Sequence, residues 1–107
     1  MESIKFLYIT CKEKSEAQKI GRALVEEKLA ACVNILPDME SIYHWQGKIE
    51  SSHEVVLIAK TSSQLVSTCT ERVKELHTYE TPCILSIAIE GGEPGYIKWL
   101  LDETKAH

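Results

Sequence analysis

The chain has 107 residues, 44% of them apolar, and a formal net charge of −4. That length makes a single domain, residues 1–107, with enough apolar content for one core, and the mixed, slightly acidic charge argues against a nucleic-acid partner. No run of 18 apolar residues occurs, so no membrane partner is expected, and the opening MESIKFLYIT reads as a strand rather than a leader.

Ile4 to Cys11 (IKFLYITC) is apolar except at Lys5 and Thr10, the pattern of a central strand covered on at least one face. Ser15 followed by Gln18 has the form of a capping box, and Ala17, Ile20, Leu24 and Ala31 recur at helical spacing beside Gly21. The spacing predicts a helix over Ser15–Leu29. It feeds into Ala30-Ala31-Cys32, small residues that let helix end and sheet approach closely.

Cys32 to Lys60 reads as one long hairpin. Gly47 supplies the positive φ of a two-residue loop with Gln46. Trp45 then faces Lys48, Tyr43 faces Glu50, Leu36 faces Leu57 and Val33 faces Lys60. Pro37 lacks a backbone donor, so the first arm must bulge, bend or lie on an edge near Leu36 to Asp38. Arms of roughly 13 residues at about 3.4 Å each give a ribbon on the order of 45 Å. A domain of this length has a radius of gyration of only ~13 Å, so the ribbon should overhang it. A long apolar ribbon is an aggregation hazard unless another subunit covers it, so self-association is expected.

Beyond the hairpin, Thr61 and Gln64 offer a second capping box, and Leu65, Cys69, Val73 and Leu76 mark a second amphipathic helix. Pro82 breaks the chain after His77-Thr78-Tyr79-Glu80. Cys83 to Ile89 reads as a fourth core strand. Pro94 opens a terminal helix carrying Tyr96, Ile97, Leu100 and Leu101. The order β-α-β-β-α-β with an added helix predicts an α+β, ferredoxin-like sandwich: two helices on one sheet face, the other face open except where the last helix reaches it.

No nucleophile elbow, phosphate loop, HExxH or dinucleotide fingerprint is present. The third strand lacks the aromatics with which such sheets bind RNA. Four cysteines and four histidines are donors suited to copper and zinc, but no two have ligand spacing, so a site would have to form by folding. Without a CxxC pair or an export signal, reduced thiols in the cytoplasm are expected. Cys32, Cys69 and Cys83 read as packing residues, and His44, His53 and His107 as surface. Cys11, expected at an exposed sheet rim, is open between site and packing. His77-Thr78-Tyr79-Glu80 is either a helix cap with a lid over the core or a functional loop.

Leu29-Ala-Ala-Cys-Val-Asn, Ile42-Tyr-x-Trp-x-Gly-Lys-Ile-Glu50, Glu54, Lys60-Thr61, Leu76-His-x-Tyr-Glu-x-Pro82 and Tyr96-x-x-Trp99-Leu100 together resemble the CutA divalent-cation tolerance family across nearly the whole chain. The resemblance implies a ferredoxin-like homotrimer joined through long hairpins. It also implies a role in tolerance of copper or another divalent metal ion, without evident catalysis, and an assembly similar to PII signalling trimers. The family's usual His-Pro-Tyr-Glu is here His77-Thr78-Tyr79-Glu80. Where copper binding is assigned in the family, a cysteine precedes the first-strand threonine and two histidines precede Pro-Tyr. Here Ile9 precedes Thr10, Cys11 follows it, and His77 is single. Side-chain alternation implies that Cys11 does not simply replace that thiol, leaving His77 as the one positional match.

A cytoplasmic, trimeric metal-binding protein using His77 and Cys11 is the first expectation. The alternative is a PII-like module whose inter-subunit cleft is lined by Tyr43, Trp45, Glu54, Lys60, Tyr79 and Glu80. An acylphosphatase-type enzyme ranks last, because Lys12-Glu13-Lys14 offers no arginine to an anion-binding loop.

Overall fold

Strand β1 (Ile4–Cys11) lies inside a four-stranded antiparallel sheet, between β3 (Lys48–Ser62) and β4 (Ile84–Ala88), and β2 (Cys32–Trp45) forms the far edge against β3. The computed structural model describes residues 3–105, so His107 falls outside it. Alternation along β1 turns Leu7, Ile9 and Cys11 to one face, where each is buried, and Phe6 and Tyr8 to the other. Helices α1 (Lys14–Glu26) and α2 (Val66–Leu76) cover the first face. Ala17, Ile20 and Leu24 of α1 and Cys69 and Val73 of α2 pack there against Leu7, Ile9, Val55, Leu57 and Ala59. Gly21 permits the approach, since a Cβ at that position would lie 2.9 Å from Val33 Cγ2.

Neither expected capping box forms. Glu13 is the α1 cap; the Ser15 hydroxyl bonds Glu13 Oε1 at 3.2 Å, and the Lys12 N–H donates to Glu16 Oε1 at 2.9 Å. The helix stops at Glu26 rather than Leu29 because Lys28 takes φ 60°, and the N–H groups of Leu29 and Ala30 turn back to the Leu24 carbonyl. Thr61 stays in β3, its hydroxyl donating to the Leu29 carbonyl at 2.6 Å, and a short 3-10 turn (Ser63–Leu65) leads into α2.

Gln46 (φ 50°) and Gly47 (φ 78°) close the hairpin with both loop residues left-handed, the turn that matches strand twist. Trp45 faces Lys48 and Tyr43 faces Glu50 as expected, but the base of the ribbon is displaced by one residue. Leu36 faces Val56, Val33 faces Ala59, and Cys32 rather than Val33 faces Lys60. A bulge between Leu36 and Met39 causes the slip: Pro37 donates nothing to the ladder and Asp38 adopts φ 64°. The molecule measures 45 × 25 × 22 Å, with a radius of gyration of 14.5 Å, because the ribbon projects beyond the helices. Near its tip Ile42 is 69% and Ile49 71% exposed.

Strand β4 is an edge strand, not a core one, and its Leu85 (60% exposed) and Ile87 look out from the helix-free side. Helix α3 (Pro94–Glu103) crosses part of that side. Glu93 caps it, accepting from the Tyr96 N–H at 2.8 Å, and the Tyr96 hydroxyl meets Lys60 Nζ at 3.1 Å. Among the described residues no helix is long and apolar enough to cross a membrane.

Candidate metal centre

Three chain segments converge at the end of β1. Cys11 closes that strand on the helix-covered face, Glu16 sits in the first turn of α1, and His77 is the C-cap of α2. One ligand atom from each lies within 4.8 Å of the other two, and all three side chains are buried. An ion with bonds of about 2.0–2.3 Å spans donors up to ~4.6 Å apart, so the trio needs only a small contraction to share one. A thiolate, an imidazole and a carboxylate suit copper or zinc in kind.

Two of the donors are engaged and the third is protonated. His77 Nδ1 accepts the Tyr79 N–H at 3.0 Å, which assigns the ring proton to Nε2, and Nε2–H donates to the Thr10 carbonyl at 2.8 Å. Glu16 Oε2, 3.7 Å from His77 Nδ1, accepts both the N–H (2.9 Å) and the hydroxyl (2.6 Å) of Thr78. Burial pushes the Glu16 carboxyl up, but those bonds, the Lys12 N–H and the nearby His77 outweigh it and hold the group below its ordinary range. The Cys11 thiol is pushed up to about 12, first by burial and then by the charges of Glu16 and Glu54. It is a protonated thiol at neutral pH, and a metal must displace that proton.

The cluster joins Cys11 and His77, the two expected ligands, and corrects two expectations about them. Cys11 is not on an exposed rim: it is fully buried beneath the start of α1. Nor does alternation separate it from the position before Thr10, since Ile9 and Cys11 stand two apart and share the helix-covered face. Glu16 was missed because an acidic residue in a first helical turn is ordinary, and only the packing of α2 beside α1 brings His77 to it. His77 is both helix cap and buried cluster member, and its ring lies 4.8 Å from that of Tyr79.

The six cleft residues divide. The Tyr79 hydroxyl donates to Glu54 Oε2 at 3.2 Å, and burial followed by the Glu54 charge pushes that phenol up to about 12. Tyr43, whose hydroxyl meets Ser52 Oγ at 3.4 Å, is close enough to add to that shift. Trp45 is at the ribbon tip and Lys60 toward the opposite end of β3, with Lys60 Nζ over the rings of Phe6 (5.6 Å) and Tyr96 (5.3 Å). Glu80 is exposed. Within this chain these six do not make one pocket. His44 and His53 are exposed, Cys69 is core, and Cys32 and Cys83 are half-buried.

Comparison with known proteins agrees with this architecture. The family model for the CutA1 divalent ion tolerance protein matches residues 5–103. A Xenopus laevis protein named "Protein CutA homolog" is 48% identical over 94% of this chain, which spans 66% of that protein's length. The "Divalent-cation tolerance protein CutA" of Archaeoglobus fulgidus is 46% identical over 92% of this chain and 95% of its own. A solved structure of the divalent cation tolerance protein from Thermus thermophilus superposes with a TM-score of 0.91 at 42% identity, covering 98% of this chain and all of that one. With the model matched across nearly its whole length, the chain belongs to the CutA1 divalent ion tolerance family.

Proposed function

We propose that this chain is a non-enzymatic, ferredoxin-like homotrimer that binds copper or another soft divalent metal at the cluster of Cys11, Glu16 and His77 when the metal is in excess. The observation that carries the reading is the convergence of three buried donor atoms within 4.8 Å. The hydrogen-bonded state of His77 and Glu16 and the protonated Cys11 thiol support a site that fills only at elevated metal. An incoming ion must displace the Cys11 proton and the Tyr79 N–H from His77 Nδ1, which lowers affinity and makes binding strengthen with pH. A protonated thiol beside an imidazole with both nitrogens bonded supports binding rather than nucleophilic catalysis. The exposed apolar ribbon supports self-association, and four unpaired cysteines support a reducing compartment such as the cytoplasm.

The test is titration of the tag-free protein with Cu(I), Cu(II) and Zn(II), alongside Cys11→Ser and His77→Ala, with mass in solution measured in parallel. One ion per chain is expected for the parent, weakened at least about tenfold in each variant. Equal stoichiometry and affinity in all three proteins would remove the cluster from the site.

A further inference from the structure

The function proposed above leaves open which ion the cluster prefers, and a residue that donates nothing to a metal bears on that choice. An ionised carboxylate has about four lone-pair sites, two on each oxygen. Glu16 Oε2, the oxygen 3.7 Å from His77 Nδ1, already accepts the Thr78 N–H at 2.9 Å and the Thr78 hydroxyl at 2.6 Å. Both of its sites are filled. The remaining capacity is on Oε1, which the Lys12 N–H holds at 2.9 Å toward the loop after β1. An ion frees His77 Nδ1 by displacing one donor, the Tyr79 N–H, whereas at Glu16 Oε2 it competes with two, so sulfur and imidazole are the donors given up more easily. Soft donors select copper(I), whereas a carboxylate helps to hold the harder zinc(II).

We propose that Thr78 is a positioning residue that withholds Glu16 from the metal and so biases the site toward copper(I) over zinc(II). The inference rests on the metal-binding reading above and adds a determinant of specificity to it. Thr78 lies at the surface, and its hydroxyl can be removed without opening the core. Thr78→Val keeps the shape and the N–H while vacating one lone pair of Oε2, and Thr78→Ser keeps both donors.

The experiment is competitive titration of anaerobic protein with copper(I) and zinc(II) in the parent, Thr78→Val, Thr78→Ser, Cys11→Ser, Glu16→Gln and the Glu16→Gln/Thr78→Val double variant. Zinc(II) affinity is expected to rise about tenfold in Thr78→Val, since one charge-assisted hydrogen bond no longer competes with the ion. Copper(I) affinity should stay level, Thr78→Ser should match the parent, and the zinc gain should vanish in the Glu16→Gln background. A merely structural role for Thr78 would move both metals together and persist without the carboxylate. Unchanged or reduced zinc affinity in Thr78→Val overturns the proposal, a reduction meaning that Thr78 orients a coordinated carboxylate. If Cys11-dependent binding is intact yet blind to Thr78, the inference fails and the metal site stands. If no variant shows Cys11-dependent binding, both fall.

Discussion

Strand β3 runs through two environments without a break. From Val55 to Ser62 it lies under α1 and α2 and pairs with β1, with β2 on its other edge from Val56 to Lys60, and Leu57, Ala59 and Thr61 are sealed from solvent. From Lys48 to Glu54 it has only β2 for company, and Ile49 stands open. The backbone is equally regular in both halves. Burial within this chain accounts for the base and does not account for the tip, where a left-handed loop and cross-strand pairs hold the ribbon together. Apolar residues at such a tip have nothing to pack on in their own subunit, which favours a second copy as their cover.

The contrast can be broken at either end. Leu57→Ala empties the middle of the base and should cost about 2–5 kcal/mol, read as a lower urea midpoint at every protein concentration. Ile42→Asp with Ile49→Asp should cost a single subunit less than ~1 kcal/mol, because both side chains are already wet. Its effect should appear instead as a drop in sedimenting mass at micromolar protein. A double variant that assembles like its parent would show that the tip is not the contact surface.

A smaller test separates the base from the tip by pH. Burial of Cys69 pushes its thiol from 9.0 up to about 12. A folded-state pKa raised this way contributes stability that is complete below pH 9 and is lost as the pH climbs toward 12, because the unfolded chain ionises first. Cys69→Ala should flatten part of that alkaline decline, measured as the unfolding midpoint between pH 8 and 11. An unchanged slope would remove the thiol from the account.

Much of this plan was legible in the residues, for identifiable reasons. The apolar run of Ile4–Cys11, the helical spacing around Leu24 and Val73, Gly47 in its loop and Pro37 as a disturbance all act locally, and local rules found them. The capping boxes misled because α1 starts at Lys14, which leaves Ser15 inside the helix, and because the Thr61 hydroxyl met a tertiary partner, the Leu29 carbonyl, that the motif does not contain. The apolar run of β4 suggested core, yet an edge strand exposing one face reads the same way. Cys11 and His77 were found as candidates, one by strand position and one by its loop. Glu16 was not, because its significance comes from two helices packing side by side, 62 positions separating it from Thr78.

Asp38 carries a consequence larger than its size. Below it, Val33 and Ile35 sit opposite Ala59 and Leu57 and feed the chain's own interior; above it, Met39 and Tyr43 sit opposite Glu54 and Glu50 and emerge on the reverse side, where the Tyr8 hydroxyl reaches Met39 Sδ at 3.5 Å. One supernumerary residue thus inverts the phase of an entire strand halfway along its course. Deleting it would set Pro37 opposite Val55 and leave Leu36 opposite Val56, Met39 opposite Glu54 and Tyr43 opposite Glu50, so the kink would go while both faces stayed as they are, whereas a deletion nearer the loop would shift every residue between it and Pro37 by one partner and turn it to the other face.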